Sequence, residues 1–217
     1  LREAATCALL SHPNTTTIHD YGEINISGIN LLFIAMEYIK GETLAEVIGR
    51  NATLTLEQKI KLVEELCDGL SYAHDAGLIH RDIKPANLMV TDGAGHLKIL
   101  DFGIARATDL ESFTKTGAIV GTLSYMSPEQ AQGHSLDHRS DIFAVGTVLY
   151  ELLTYRRAFP GRDLRTVTQD KPIPVTELAP SVDPILDDIV ASALAPHPDQ
   201  RYQHLSELVT RLGNVRT

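Results

Sequence analysis

Apolar residues recur at helical spacing between residues 56 and 74, and this is the clearest pattern in the chain. The apolar positions lie three or four residues apart and so share one face of an α-helix. They are Ile60, Val63, Leu66, Leu70 and Ala73. Thr55 stands just before the stretch and is a typical N-cap residue. The pattern therefore predicts a long amphipathic helix with one buried face.

Three further segments are predicted to be helical. Residues 143–153 are almost continuously apolar, which is typical of a helix buried on all sides at the centre of a domain. Residues 185–194 and 204–212 supply two more helices. Residues 162–180 instead contain prolines and polar side chains, and we expect this stretch to be rich in loops.

Strand-like segments occur in two places. Residues 31–39 form a β-type run of apolar residues. Two shorter runs, residues 87–90 and 97–100, flank a turn-rich separator and predict a β-hairpin. Asn87 opens the first of these strands and Asp101 closes the second, so antiparallel pairing brings the two polar side chains to the same end.

Composition and charge narrow the class of protein. The chain has 217 residues and is 43% hydrophobic, which suffices for a sizeable core. No uncharged apolar run approaches twenty residues, so the sequence itself predicts no membrane-spanning helix. The formal net charge of −9 argues against nucleic acid as a partner, because nucleic-acid-binding proteins usually display a basic stripe. We expect a soluble globular domain.

The cysteine pattern indicates a reducing compartment. Cys7 and Cys67 are far apart, and no Cys-x-x-Cys or His-rich ligand spacing accompanies them. A zinc site is therefore not predicted, and the expected location is the cytoplasm.

Chemically useful residues cluster in His80-Arg81-Asp82-Ile83-Lys84-Pro85-Ala86-Asn87, and Asp101-Phe102-Gly103 follows. This window holds a carboxylate that can act as a base, a lysine that can bind phosphate, and an amide and a second carboxylate that can bind a cation. Mg²⁺ typically takes one or two such protein ligands and completes its octahedron with water and phosphate oxygens. Singly, Asp and Asn are ordinary turn residues, and only the joint pattern indicates phosphoryl transfer.

These two motifs resemble those of the eukaryotic-like Ser/Thr protein kinase family, in particular its bacterial receptor-type members. The resemblance implies an α+β protein-kinase-like fold with a complete, mainly helical C-lobe and a partial N-lobe. Residues 1–38 would form the partial N-lobe, with the C-helix and the last strands, and residues 39–217 the hinge and C-lobe. The implied reaction is transfer of the γ-phosphate of ATP to Ser and Thr hydroxyls of protein substrates, with Mg²⁺ as the cofactor.

The resemblance also implies roles within the motifs. Asp82 is the expected catalytic base, and Lys84 is expected to contact the γ-phosphate, as an ATP ligand and as a catalytic residue. Asn87 and Asp101 are the expected Mg²⁺ ligands and so help to bind ATP. Thr122 resembles the threonine that bonds the catalytic aspartate and lysine in Ser/Thr kinases.

A nucleotide site is implied by further positions. Met36 corresponds to the gatekeeper, the Glu37 carbonyl and the Ile39 amide are expected to meet the adenine edge, and Met89 is expected under the ring. For Met89, plain core packing is an alternative that is compatible with the same position. Glu42 is expected to approach the ribose.

The stretch between Asp101 and Ser127-Pro128-Glu129 resembles an activation segment. Thr114 and Thr116 resemble paired phosphothreonines, so self-association of the kinase is expected for autophosphorylation at these two residues. Arg81 is expected to pair with the phosphorylated segment, because a phosphate brings nearly two negative charges. Solvated loop hydroxyls are the alternative for both threonines.

Two acidic residues have predicted structural roles. Glu129 is predicted to be buried and therefore to need a cation, and the family resemblance implies that Arg201 supplies it. Asp141 resembles the helix-borne aspartate that fastens the catalytic loop from below. His80 is expected to be an internal residue without a ligand role.

A complete kinase domain opens with a Gly-rich loop and a strand-borne lysine, and neither occurs in this sequence. We therefore expect this chain by itself to be nearly inactive, with Glu3 as the ion-pair partner of that lysine. Two hypotheses stay open: a Ser/Thr kinase catalytic domain that is incomplete at its amino end, and a non-catalytic kinase-like protein-binding module. Resemblance to receptor-type kinases also implies that the chain is the cytoplasmic part of a membrane-anchored protein.

Overall fold

The computed structural model describes residues 10–93, 95–100, 123–160 and 164–216. Five predicted residues lie outside these ranges: Glu3, Asp101, Thr114, Thr116 and Thr122. Within the described ranges, no helix is long and apolar enough to cross a membrane.

Most strands precede most helices along the chain. The strands are β1 (Ile18–Ile26), β2 (Ile29–Met36), β3 (Gly41–Thr43), β4 (Leu88–Thr91) and β5 (Leu97–Ile99). The helices are α1 (Leu44–Gly49), α2 (Leu56–Asp75), α3 (Pro128–Ala131), α4 (Arg139–Thr154), α5 (Leu164–Gln169), α6 (Val175–Leu178), α7 (Ile185–Ala193) and α8 (Leu205–Gly213). Short 3₁₀ turns occupy Pro85–Asn87, Leu123–Tyr125, Pro198–Gln200 and Asn214–Arg216.

β1 and β2 form an antiparallel hairpin apart from the second sheet. Their turn is Ser27-Gly28, whose φ angles of 54° and 85° belong to a type I′ turn, the kind that matches the twist of the flanking strands. The pairing gathers four apolar side chains on one face, namely Ile24, Ile26, Ile29 and Leu31. They are 46–63% exposed, so this face is open with respect to the part of the chain that the structure describes.

β3, β4 and β5 form a three-stranded antiparallel sheet in that order. The predicted hairpin is therefore confirmed, although Asn87 ends the 3₁₀ turn before β4 and does not open the strand. β3 approaches β4 closely at Gly41, where a Cβ atom would lie 2.1 Å from the carbonyl oxygen of Val90. Only glycine fits at this position.

The β4–β5 pair separates two environments. Leu88, Leu97 and Ile99 are fully buried in the C-lobe core. Because side chains alternate along a strand, Met89 and Lys98, which are paired with each other, lie on the opposite face of the sheet. One face of the β4–β5 pair thus packs on the core, and the other face carries Met89 and Lys98.

α2 confirms the predicted amphipathic helix. Its N-cap Thr55 forms a capping box with Gln58, with Thr55 Oγ1 accepting from the Gln58 N–H (3.2 Å) and Gln58 Oε1 accepting from the Thr55 N–H (2.9 Å). Leu66, Cys67 and Leu70 on its inner face are completely buried. The capping box fixes where the helix starts, and the buried face fixes how it packs.

α4 is the central helix, and residues 140–153 are all buried. It begins at Arg139, before the apolar run that predicted it, because Ser140 and Asp141 are buried with polar partners. Its Gly146 lies against α7, where an added Cβ would meet the Cβ of Ala193 at 2.8 Å. This close approach explains a glycine in the middle of a buried helix.

The expectation of a loop-rich stretch over residues 162–180 was wrong in part. α5 and α6 lie within it. Helices of six and four residues are too short to display a helical period in the sequence. The predicted strand over residues 31–39 also ends earlier, at Met36.

Candidate active site

Asp141 is a buried carboxylate in the first turn of α4 that fastens the loop carrying Asp82. Its Oδ2 accepts a hydrogen bond from the His80 N–H (2.8 Å), and its Oδ1 accepts one from the Arg81 N–H (2.9 Å). The ring Nε2 of His74 lies 2.8 Å from the same Oδ2. Burial alone raises the pKa of Asp141, but the hydrogen bonds and charges of its partners outweigh burial and hold the pKa below its ordinary value. These contacts confirm the anchoring role.

Arg81 adopts a left-handed backbone conformation with φ of 66°, which is costly for a residue with a Cβ atom. Its N–H is bound by Asp141, and its carbonyl oxygen accepts a hydrogen bond from Gln130 Nε2 (2.8 Å). Gln130 also forms a capping box with Ser127 at the start of α3. The Ser-x-x-Gln spacing is visible in the sequence, but its contact with the catalytic loop was not predicted.

Asp82, Lys84 and Asn87 lie together at the end of this loop. Lys84 Nζ donates to Asp82 Oδ2 over 2.9 Å, and Asn87 Nδ2 donates to the same oxygen over 3.0 Å. Asn87 Nδ2 also donates to the Asp82 carbonyl over 2.8 Å. The side chains of Asp82 and Lys84 are only 18% and 22% exposed, so the pair lies within a cleft. Three residues that the family resemblance identified are therefore joined by hydrogen bonds at Asp82 Oδ2.

The β4–β5 hairpin brings the residue before Asp101 against Asn87. The Leu100 N–H donates to the Asn87 carbonyl over 2.8 Å. The buried ring of His80 lies behind this contact, with its Nε2 3.0 Å from the Leu100 carbonyl oxygen. Asp101 is outside the described residues, but its chain neighbour is held where antiparallel pairing predicted.

Asn87 offers an oxygen suited to Mg²⁺. Its Nδ2 is bonded to Asp82, and its Oδ1 accepts no hydrogen bond from a residue within the described ranges. Amide and carboxylate oxygens are the hard ligands that Mg²⁺ prefers. Elsewhere in those ranges, no cluster of His, Cys, Asp or Glu is arranged to hold a metal ion. The donor set at Asn87 thus fits the implied cofactor.

The connection between β2 and β3 is tied at both ends. Glu37 donates its N–H to the Thr17 carbonyl (2.9 Å), and Asp92 donates its N–H to the Lys40 carbonyl (3.0 Å). Between these ties, the Glu37 carbonyl and the Ile39 N–H form no hydrogen bond with any described residue. An acceptor and a donor two residues apart are therefore available to a flat heterocycle.

Met89 lies between Thr43 and Lys98 on the face of the sheet opposite the core. It is only partly buried and is not one of the residues of the hydrophobic core, so core packing does not explain it. Lys98 was not predicted, because no local signal marks it. Glu42 forms a bidentate ion pair with Arg50 (2.6 and 3.1 Å), which engages the carboxylate expected at the ribose.

Glu129 and Arg201 form the predicted buried ion pair. Two parallel hydrogen bonds of 2.7 Å join the guanidinium to the carboxylate, and Ser140 Oγ donates a third to Glu129 Oε1 over 2.7 Å. Burial alone raises the pKa of Glu129, but the bonds from Arg201 and Ser140 outweigh it and keep the pKa below its ordinary value. This pair fastens α3, which carries Glu129, to the segment before α8 that carries Arg201.

Comparison with known proteins places the chain among protein kinases. The protein kinase domain family matches residues 1–211. The chain is 41% identical over 221 residues to the serine/threonine-protein kinase PknB of Mycobacterium leprae, covering 100% of this chain and 35% of that protein. It is 39% identical over 224 residues to the probable serine/threonine-protein kinase PknB of Corynebacterium glutamicum, covering 99% and 34%. The chain spans about a third of the length of these curated relatives.

A solved structure gives the same result for the fold. The crystal structure of the Mycobacterium tuberculosis PknI kinase domain matches with a TM-score of 0.78 and 28% identity, covering 98% of this chain and 76% of that one. The predicted α+β fold, with a mainly helical C-lobe and a few N-lobe strands, is therefore confirmed. From its sequence match, its fold and the cluster around Asp82, the chain belongs to the protein kinase domain family, with bacterial serine/threonine-protein kinases among its relatives.

Proposed function

We propose that this chain is the catalytic part of a Ser/Thr protein kinase that transfers the γ-phosphate of ATP to protein hydroxyls. The observation that carries the proposal is the cluster of Asp82, Lys84 and Asn87 on a loop that Asp141 fastens. Family membership supports it, since the two relatives compared are serine/threonine-protein kinases by name.

Asp82 is the proposed base. The hydroxyl of a substrate Ser or Thr donates a hydrogen bond to its carboxylate, which Lys84 and Asn87 orient. As the hydroxyl oxygen bonds to the γ-phosphorus, the bond to the bridging oxygen breaks and leaves its electron pair on ADP. The hydroxyl proton passes to Asp82. Such transition states are loose, so positioning of the reactants supplies much of the rate enhancement.

Lys84 is the proposed partner of the transferred phosphoryl group. Its Nζ lies 2.9 Å from Asp82 Oδ2, so a phosphoryl group beside that carboxylate is within reach of the ammonium. The ammonium offsets negative charge in the transition state, and its bond to Asp82 keeps it within the cleft. Lys84 therefore serves as an ATP ligand and as a catalytic residue. Thr122 is proposed to bond the same two groups.

Asn87 and Asp101 are the proposed Mg²⁺ ligands. Bound Mg²⁺ neutralises charge on the ATP phosphates and fixes their geometry. The bonds from Asn87 Nδ2 to Asp82 hold the amide plane, so Oδ1 is presented in a constant direction. The Leu100 N–H holds the chain beside Asn87 just before Asp101.

Glu37, Ile39 and Met89 are proposed to hold the adenine. The Glu37 carbonyl and the Ile39 N–H supply an acceptor and a donor to its edge, and Met89 supplies an apolar surface beneath the ring. The ties at Thr17 and Asp92 hold this connection in place before the nucleotide arrives. Preorganisation of this kind lowers the entropy lost on binding.

Proposed partners and location follow from the kinase class. The substrates are proteins, and self-association would allow one copy to phosphorylate Thr114 or Thr116 of another. Arg81 is proposed to receive the phosphate. We propose that the chain is located in the cytoplasm. This location is compatible with a chain that forms the cytoplasmic part of a membrane-anchored kinase.

The test measures Mg²⁺-dependent transfer from labelled ATP by the full-length protein that contains these residues, with a Ser/Thr-containing protein as acceptor. Asp82→Asn should lower kcat by about 10²–10⁴-fold, because general-base catalysis typically contributes that factor. ATP affinity should change little, since the substitution spares the proposed nucleotide contacts. Asp68→Asn, at an exposed position on α2, is the matched control.

Two results would contradict the proposal. Unchanged transfer by Asp82→Asn would remove Asp82 from the base role. A wild-type protein that neither binds ATP nor labels any hydroxyl would favour the non-catalytic binding module.

A further inference from the structure

Lys98 of β5 reaches the connection between β2 and β3. Its Nζ lies 2.7 Å from Glu37 Oε1 and 3.4 Å from the Thr15 carbonyl oxygen. The two side chains of the ion pair are 21% and 27% exposed, so most of each is shielded from water. A shielded pair is weakened less by solvent screening than a surface pair.

Glu37 is held from a second direction. The oxygen that contacts Lys98 also accepts a hydrogen bond from the Thr17 N–H (2.8 Å), while the Glu37 N–H donates to the Thr17 carbonyl (2.9 Å). Burial raises the pKa of Glu37, but the bonds from Lys98 and Thr17 outweigh it and keep the carboxylate charged. The residue that offers its carbonyl to adenine is therefore fixed through its own side chain.

The segment before β1 gives this contact a rigid base. The Ile99 N–H donates to the Asn14 carbonyl (2.8 Å), and the Thr16 N–H donates to the Ile99 carbonyl (3.0 Å). Asn14 Nδ2 adds a bond to the Leu97 carbonyl over 2.8 Å. These bonds join residues 14–16 to β5, from which Lys98 extends.

Lys98 also stands directly opposite Met89 in the strand register. The Lys98 side chain therefore joins β5, the strand paired with the one that carries Met89, to the side chain of the residue that offers its carbonyl to the proposed adenine edge. We propose that Lys98 is a positioning residue for the purine, which sets the spacing between Met89 and the backbone of Glu37 and Ile39. The inference rests on the proposed kinase function and deepens it.

Removal of Lys98 is expected to affect nucleotide binding more than the phosphoryl-transfer step. Without Lys98, the shielded Glu37 carboxylate loses its cation and moves towards water, so the Glu37 carbonyl leaves its place. An interaction made equally in the ground and transition states alters KM and leaves kcat unchanged. Loss of a partly buried ion pair of this kind corresponds to about a fivefold change in affinity.

The experiment measures kcat and KM for ATP in the full-length protein, for wild type and Lys98→Met, Lys98→Arg and Glu37→Met. We expect Lys98→Met to raise KM about fivefold with kcat within about twofold, and Lys98→Arg to restore most of the loss. Lys61→Met, which removes a lysine of another ion pair on α2, is the matched control and should leave both constants unchanged.

A second arm separates positioning from simple attraction between a lysine and the ATP phosphates. Attraction alone predicts opposite signs, with Lys98→Met weakening ATP binding and Glu37→Met strengthening it. Positioning predicts that both weaken it, and that the double variant is no worse than either single one. The inhibition constant of adenosine, which carries no phosphate, should rise by the same factor.

Several results would overturn the inference. These are an unchanged KM, opposite signs for the two methionine variants, an unchanged adenosine constant, or equal losses in kcat and thermal stability without rescue by arginine. Failure of the kinase proposal is a different observation, because wild type itself would then transfer no phosphate. Adenosine binding, measured by calorimetry, would still report on Lys98 in that case.

Discussion

In the β1–β2 hairpin, four apolar side chains are 46–63% exposed, whereas the leucines on the inner faces of α2 and α4 are completely buried. Leu66 and Leu149 represent the second group. Full burial of a leucine contributes about 1.5–3 kcal/mol, and partial burial contributes correspondingly less. Burial of apolar side chains therefore stabilises the helical core. The hairpin depends more on its turn, on the hydrogen bonds between its two strands and on its contacts with the rest of the chain.

The proposed active site lies across the boundary between these regions. Asp82 and Asn87 are fixed from the core side through Asp141 and β5. Glu37 follows directly after the hairpin and is fixed by its ion pair with Lys98 and by two hydrogen bonds with Thr17. The proposed catalytic groups thus lie on the well-buried helical core, whereas the proposed adenine contacts lie next to the more exposed hairpin.

The largest expected effect comes from the same substitution made in both regions. Leu66→Ala removes a fully buried side chain and should lower the free energy of unfolding by about 2–5 kcal/mol. Leu31→Ala, at a position that is 46% exposed, should lower it by less than about 1 kcal/mol. Chemical denaturation followed by circular dichroism measures both. Equal losses would show that the hairpin is as well packed as the core.

A charge substitution sharpens the comparison next. Glu129→Gln leaves the buried guanidinium of Arg201 without a counter-charge and should lower the free energy of unfolding by about 3 kcal/mol. Glu23→Gln, at an exposed position of β1, should change it by less than about 0.5 kcal/mol. A loss below 1 kcal/mol for Glu129→Gln would mean that water reaches the pair.

Acid should destabilise the core through Glu129 and Asp141. The pKa values of Glu129 and Asp141 lie below the ordinary 4.5 and 3.8, so their stabilisation is present above these values and is lost as the pH falls through the lowered pKa. Denaturation at pH 7, 5, 4 and 3 tests this. The Glu129→Gln variant should show a flatter dependence, and an identical one would exclude Glu129 as a source.

The smallest expected effect lies in the hairpin turn. Gly28 has φ of 85°, so Gly28→Ala strains the backbone by about 1 kcal/mol. Hydrogen exchange of the β1 and β2 amides should accelerate, while global unfolding stays within about 0.5 kcal/mol. Gly49→Ala at the end of α1 meets no atom within 4 Å, needs no positive φ and serves as the control. If Gly28→Ala instead lowered the free energy of global unfolding by its full strain, the hairpin and the core would unfold together.

Much of this architecture could be predicted from the sequence. The period of α2 and the apolar run in α4 follow from burial of one face or of all faces, so the pattern is written along the chain. Asp82, Lys84 and Asn87 were predictable because their motif resembles that of the protein kinase family, and it lies within one stretch of eight residues. The need of Glu129 for a cation was predictable because a buried carboxylate requires one, and the family resemblance identified Arg201 as the partner.

Other features could not be predicted from local signals. Glu37 and Lys98 are 61 residues apart, and their contact depends on how β5 lies against the segment before β1. α5 and α6 were missed because prolines and polar residues in a short helix resemble those of a loop. The apolar positions of β2 predicted a strand, but the pattern did not reveal that one face of the hairpin is exposed with respect to the described part of the chain.

The buried thiol of Cys67 allows the rate at which the core opens to be measured, in addition to its free energy of unfolding. The thiol lies completely buried on α2, and burial raises its pKa, so alkylating reagents reach a reactive thiolate only when the helix separates from the core. A pulse of iodoacetamide followed by peptide mapping therefore counts opening events of the C-lobe over time, with Cys7 resolved as a separate peptide. The chain thus contains a natural probe for how long its catalytic half stays closed between openings.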